Sequence, residues 1–205
     1  PKPGKYRIVS EFTDSKRSWI KHFNLEIGHD ALINNHHLKQ TNTNTVQNYT
    51  GTLSFASQTP IAGAPIEMEV YISRDNVPVS DLKLWLGSEA HVAIWRDDGK
   101  YFGHTHAYTP AMRQMMGGLA HQKKSHATNP KMIQEMMLRM MSQPSELIFE
   151  GPTIPVFYIF PQPGKYVMHF ECAPNGNPIV FQFIINVLPS AKILPTHEHA
   201  ANEIQ

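Results

Sequence analysis

Apolar and polar residues alternate over most of this chain, and a period of two predicts half-buried β-strands. Strands are expected over residues 5–12 and 19–27. In the second, Trp19, Phe23, Leu25 and Ile27 share one parity. Further strands are expected over 49–57, 66–73, 81–86, 156–160, 165–171 and 179–187. Proline, glycine and asparagine separate them, as in Asp75-Asn76-Val77-Pro78 and Pro174-Asn175-Gly176-Asn177-Pro178. Many short strands between such turns predict an all-β, Ig-like antiparallel β-sandwich. The polar stretch Gly28 to Asn48 reads as a long loop, and Leu188 to Gln205 as a tail. The expected organisation is residues 1–48 extending the sandwich, 49–188 as the sandwich itself, and 189–205 as the tail.

Residues 107–145 break the alternation. Thr109 is a suitable N-cap, Pro110 fits the first helical position, and Gly117-Gly118 would end a short helix. Asn129-Pro130 repeats the start signal, and a second helix is expected to about Ser142. The prediction is a methionine-rich helical insertion. It holds eight of the ten methionines of the chain, among them Met112, Met115, Met116, Met132, Met136 and Met140. Three uses compete: packing on the sandwich, an adaptable surface for a protein partner, and thioether ligation of Cu(I). Met112, Met115 and Met116 are the ligand candidates, because they begin six residues after His106.

Between the strands and this insertion lies the segment from His91 to His106. Asp98-Gly99 suits a two-residue type I′ turn. That turn would place His91 opposite His106 and Ala93 opposite His104, with all three histidines on one face. A three-residue loop would instead split them between faces. Three neutral imidazoles on one point suit copper, with zinc second. They would need ligating nitrogens within about 4 Å of one another to share one ion. The competing reading is a half-buried strand pair whose histidines bond backbone or water. His169, three residues before Cys172, is expected on a surface and Cys172 in the interior.

Composition narrows the choices. The chain has 205 residues, 17% of them charged, with a formal net charge of +1. That balance gives no electrostatic footprint for nucleic acid. No apolar run is long enough for a transmembrane helix. A single cysteine excludes an intrachain disulfide. A start at Pro1-Lys2-Pro3-Gly4 is compatible with a processed chain. No nucleophile elbow, phosphate loop or HExxH motif is present.

One ordered set of motifs resembles a known family. Thr59 to Val70 contains Gly63. Val77-Pro78-Val79-Ser80-Asp81-Leu82 then leads to Leu84-Trp85-Leu86-Gly87, His91 and Tyr101-Phe102-Gly103-His104-Thr105-His106. Phe160-Pro161-Gln162-Pro163-Gly164-Lys165-Tyr166 closes the set. The order resembles exported bacterial Ig-like β-sandwich domains, distantly similar to YtkA-like and CopC-like metal-handling proteins. It covers about residues 55 to 188. Ala90 stands before His91 where the family often has glycine, and Ala107 follows His106 where it often has proline. The resemblance implies an exported sandwich, periplasmic or secreted, with His91, His104 and His106 in the family's histidine positions.

The leading expectation is therefore a copper-binding protein for metal storage, delivery or resistance. Its rival is an Ig-like interaction module that docks a partner through the methionine face. An enzyme is the third reading. A three-histidine site with an open position could activate water or oxygen, but no acid/base partner is identifiable from the sequence.

Overall fold

The computed structural model describes residues 3–13, 18–28, 38–56, 59–114 and 146–190. Twelve strands account for nearly all regular structure among them. They are β1 (Gly4–Thr13), β2 (Ser18–Ile27), β3 (Thr43–Val46), β4 (Tyr49–Phe55), β5 (Pro65–Arg74) and β6 (Val77–Pro78), followed by β7 (Leu82–Lys83), β8 (Ala90–Arg96), β9 (Phe102–His106), β10 (Thr153–Ile159), β11 (Gly164–Pro174) and β12 (Ile179–Val187). One sheet has the order β10-β5-β4-β3, with β6 paired to β5. The other has the order β12-β11-β8-β9, with β7 paired to β11. Every strand pairing is antiparallel.

Alternation makes this an all-β sandwich. Leu53, Met68, Val70, Ile72, Ile154 and Val156 turn inward from the first sheet. Val92, Ile94, Met168, Phe170, Phe181 and Phe183 turn inward from the second, and all belong to one core. Each such side chain contributes roughly 1.5–3 kcal/mol on burial. Once these residues are inside, the intervening residues of each strand must face out.

Both open sides of the sandwich are bridged. After β9 the chain leaves the second sheet, and Ala107 pairs with Val156 of β10 in the first. On the other side Thr41 and Ile184 exchange backbone hydrogen bonds of 3.2 and 3.0 Å. These bridges occupy donors and acceptors that edge strands would otherwise leave open.

Two expectations change. The Gly28–Asn48 stretch is not all loop, because Thr43–Val46 forms β3. It has no apolar alternation to reveal it, since it is an edge strand held largely by backbone pairing to β4. Nor do the first two strands extend either sheet. They pair only with each other, in a separate two-stranded sheet. This sheet meets the tip of the β8–β9 hairpin, where the Arg7 guanidinium donates to the Gly99 carbonyl. The His22 and Phe102 rings meet edge to face there, at 5.8 Å.

Of the insertion, residues 110–114 are helical and 115–145 lie outside the described residues. The predicted cap is present: the Met112 amide donates to Thr109 Oγ1 at 3.3 Å. The second helix falls in the stretch outside.

Gly103 has a packing reason. A Cβ there would stand 1.6 Å from Tyr158 Oη, in the space where Tyr158 and Tyr101 share a 2.5 Å hydrogen bond. Gly103→Ala is expected to cost about 1–3 kcal/mol in urea unfolding, by overpacking and by breaking that bond. Cys172 is fully buried, and burial pushes its thiol up to about 12. The native protein should leave Cys172 unmodified by iodoacetamide, with alkylation appearing only in denaturant.

Candidate metal centre

The outer face of the second sheet carries the histidines. Ala90, Val92 and Ile94 of β8 are buried, so His91, Ala93 and Trp95 point outward. In β9 Gly103 and Thr105 point inward, so Phe102, His104 and His106 join the outer row. The register pairs His91 with His106, Ala93 with His104, and Trp95 with Phe102. This is the pairing expected from the sequence.

The turn that produces it differs from the expected one. Arg96 donates to the Tyr101 carbonyl, and Gly99 donates back to the Arg96 carbonyl at 2.9 Å. Four residues, 97–100, therefore form the loop. Only Gly99 among them has positive φ, at 67°, so a type I′ pair at Asp98-Gly99 is excluded. Loops of two and four residues on the same centre leave one register, which is why the histidine pairing survives the change of turn.

One nitrogen from each of His91, His104 and His106 lies within 4.8 Å of the others. This exceeds the expected 4 Å limit. Tetrahedral ligands 2.0–2.1 Å from an ion stand about 3.4 Å apart, so the rings must close by roughly 1 Å to share one. The ring centroids are 4.4 Å apart for His91 and His106, 4.8 Å for His104 and His106, and 5.8 Å for His91 and His104.

Neighbouring residues orient His91 and set the environment of His106. Trp85 and Ser88 close a tight turn by reciprocal backbone bonds, with Leu86 and Gly87 both at positive φ. The turn aims the Trp85 carbonyl at His91 Nε2, 2.8 Å away. A carbonyl only accepts, so Nε2 carries the proton and Nδ1 keeps its lone pair. His106 Nε2 is buried with no hydrogen-bond partner among the described residues. Burial, then the neighbouring His91 and His104, lower the His106 pKa to about 3. Its imidazole is therefore neutral at physiological pH, the state a metal requires.

Both ends of the outer-face hairpin are fixed. Beyond His106, the Tyr108 amide donates to the Pro155 carbonyl at 2.7 Å. Before His91, the Glu89 side chain is 1% exposed, and its Oε1 accepts the amides of Ile148 and Phe149 at 2.6 and 3.4 Å. Sequence reasoning missed Glu89, because its partners lie beyond the insertion and no motif marks them.

The thioether candidates fare differently. Met112 is buried with Tyr108 and Phe157 in a small cluster separate from the main core. Met115 and Met116 lie outside the described residues. His169 faces outward on β11 while Cys172 is interior, as alternation predicts. Burial lowers the His169 pKa, and a hydrogen bond with Gln182 opposes the shift.

Fold and site together define an all-β protein with three outward histidines close enough to hold a metal ion. The chain belongs to the DUF8832 family, a domain of unknown function whose match spans residues 44–188. That span takes in both sheets and the histidine hairpin but not β1 and β2. No curated protein and no solved structure matches the chain. No helix among the described residues is long and apolar enough to cross a membrane.

The lowered His106 pKa has a consequence for metal-free protein. Between pH 6.5 and about 3 the unfolded chain takes up a proton at this residue that the folded protein refuses. Its contribution to stability is complete above pH 6.5 and is lost as pH falls toward 3. The expected loss is on the order of a few kcal/mol across that window. Urea unfolding over the same range should fall less steeply for His106→Leu than for the native sequence.

Proposed function

We propose that this protein binds a transition-metal ion through His91, His104 and His106, and that it serves in metal storage, delivery or resistance. The observation that carries the reading is the shared outer row of the three imidazoles, including the buried, unbonded Nε2 of His106. An all-nitrogen set favours Cu(II), with Zn(II) second. Thioether ligation would add affinity for Cu(I), and Met115 and Met116 are its candidates. Met112 is better suited to packing, given its contact with Tyr108 and Phe157. An Ig-like topology and export to the periplasm or beyond complete the reading, on the strength of the motif resemblance.

The chemistry available to the trio follows from its ligands. The His106 imidazole is held neutral, so it can bind an ion without first losing a proton. Three protein ligands leave one position open on a four-coordinate ion. Such a site suits exchange with a partner or a small ligand better than a closed structural site does.

The test is titration of purified protein with Cu(I), Cu(II) and Zn(II), beside a His91→Ala, His104→Ala, His106→Ala variant. The native protein should take up one equivalent of Cu(II) or Zn(II), and the variant should lose at least about a hundredfold in affinity. Equal, weak binding by both would overturn the reading.

A further inference from the structure

The outer row does not stop at the histidines. β11 lies on the other side of β8, and its register pairs Glu171 with His91 and His169 with Ala93. Tyr166, Met168, Phe170 and Cys172 are buried, so His169 and Glu171 share the face of the trio. One line across the sheet therefore reads Val180, Glu171, His91, His106.

We propose that Glu171 is part of the site, as the group that holds a neutral, hydrogen-donating ligand on the open position of the ion and disfavours anions there. The inference rests on the metal-binding reading above. Directly paired residues of antiparallel strands have Cβ atoms about 5 Å apart, so the Glu171 side chain rises beside that of His91. Its carboxylate is not among the mutually close ligand atoms, which come from the histidines alone. An ion and a carboxylate oxygen joined by one water stand about 5 Å apart, and a carboxylate one strand beyond His91 suits that spacing.

Charge supports the assignment. Glu171 is only part-exposed, and its neighbours across the strands are Val180 and His91. It has no hydrogen bond or salt bridge among the described residues. An ion held by the trio would bring a positive charge beside this carboxylate. Ala93 leaves room beside it. Its methyl is the only side chain between His104 and His169 in the next line, so a small ligand has space over it. A metal-bound water, alcohol or amide can donate to Glu171. A bound anion such as azide cannot, and meets a like charge instead.

The experiment compares native protein with Glu171→Gln, which keeps shape and removes charge. Both are loaded with Cu(II), or with Co(II) if the site takes zinc and not copper. Azide is then titrated and followed by its charge-transfer absorption. Glu171→Gln should bind azide roughly tenfold more tightly, as expected for removing one nearby negative charge. Ion stoichiometry and thermal stability should stay at native values, which a merely structural role would not predict. Glu171→Asp should keep the native azide affinity within about threefold. Equal azide affinity in the native protein and Glu171→Gln would overturn the assignment while leaving the three-histidine site standing. No ion uptake by native protein would overturn both.

Discussion

The antiparallel register of β9, β8 and β11 is the constraint on which the site depends. Hydrogen-bonded ladders set which residues lie opposite, and burial of one face sets which way each points. Val92 and Ile94 cannot leave the core without a large loss of apolar burial, and Gly103 cannot leave without opening the Tyr158 packing. A slip of one residue would bury His91 and His104 and expose the core residues between them. The cost of that slip keeps the imidazoles together, so the site is specified by the core on the reverse side of its own sheet.

That dependence explains what could be read from the sequence. His91, Trp95, Phe102 and His106 fall at the right spacing on two adjacent strands joined by a short loop. Parity alone placed them on one face, and the parity survived although the turn was of another type. Glu171 is different. Its strand follows β8 only after β9, the insertion and β10, and the pairing of β11 with β8 is decided by the whole topology. Strand β3 was hidden for a related reason. Its Thr-Asn alternation carries no apolar signal, and its place comes from backbone bonds to β4. The separation of β1 and β2 from the sandwich was equally invisible, because their apolar alternation matches that of a core strand.

The supports around the trio act on different strands but converge. Trp85 fixes the tautomer of His91 through a turn that forces Leu86 to φ of 50°, a conformation unfavourable for its branched side chain. The crossing at Ala107 stops β9 directly after His106. Glu89 binds the chain returning from the insertion two residues before His91. The insertion therefore departs and returns beside the histidines, its described ends held by a backbone bond to Pro155 on one side and by the Glu89 carboxylate on the other.

Neutrality and openness are coupled in this arrangement. Desolvation lowers the proton affinity of His106, and two neighbouring imidazoles lower it further. The same crowding would oppose any cation brought without ligands to bind it, yet it favours an ion that three lone pairs can share. Apart by up to 4.8 Å, the nitrogens would have to draw together to share an ion, and part of any ligation energy would go into turning the rings. The rings lie on the outer face of the sheet, so such a movement would leave the core on its other face in place. Under the proposed reading, ring movement of this size would make capture of an ion reversible rather than permanent.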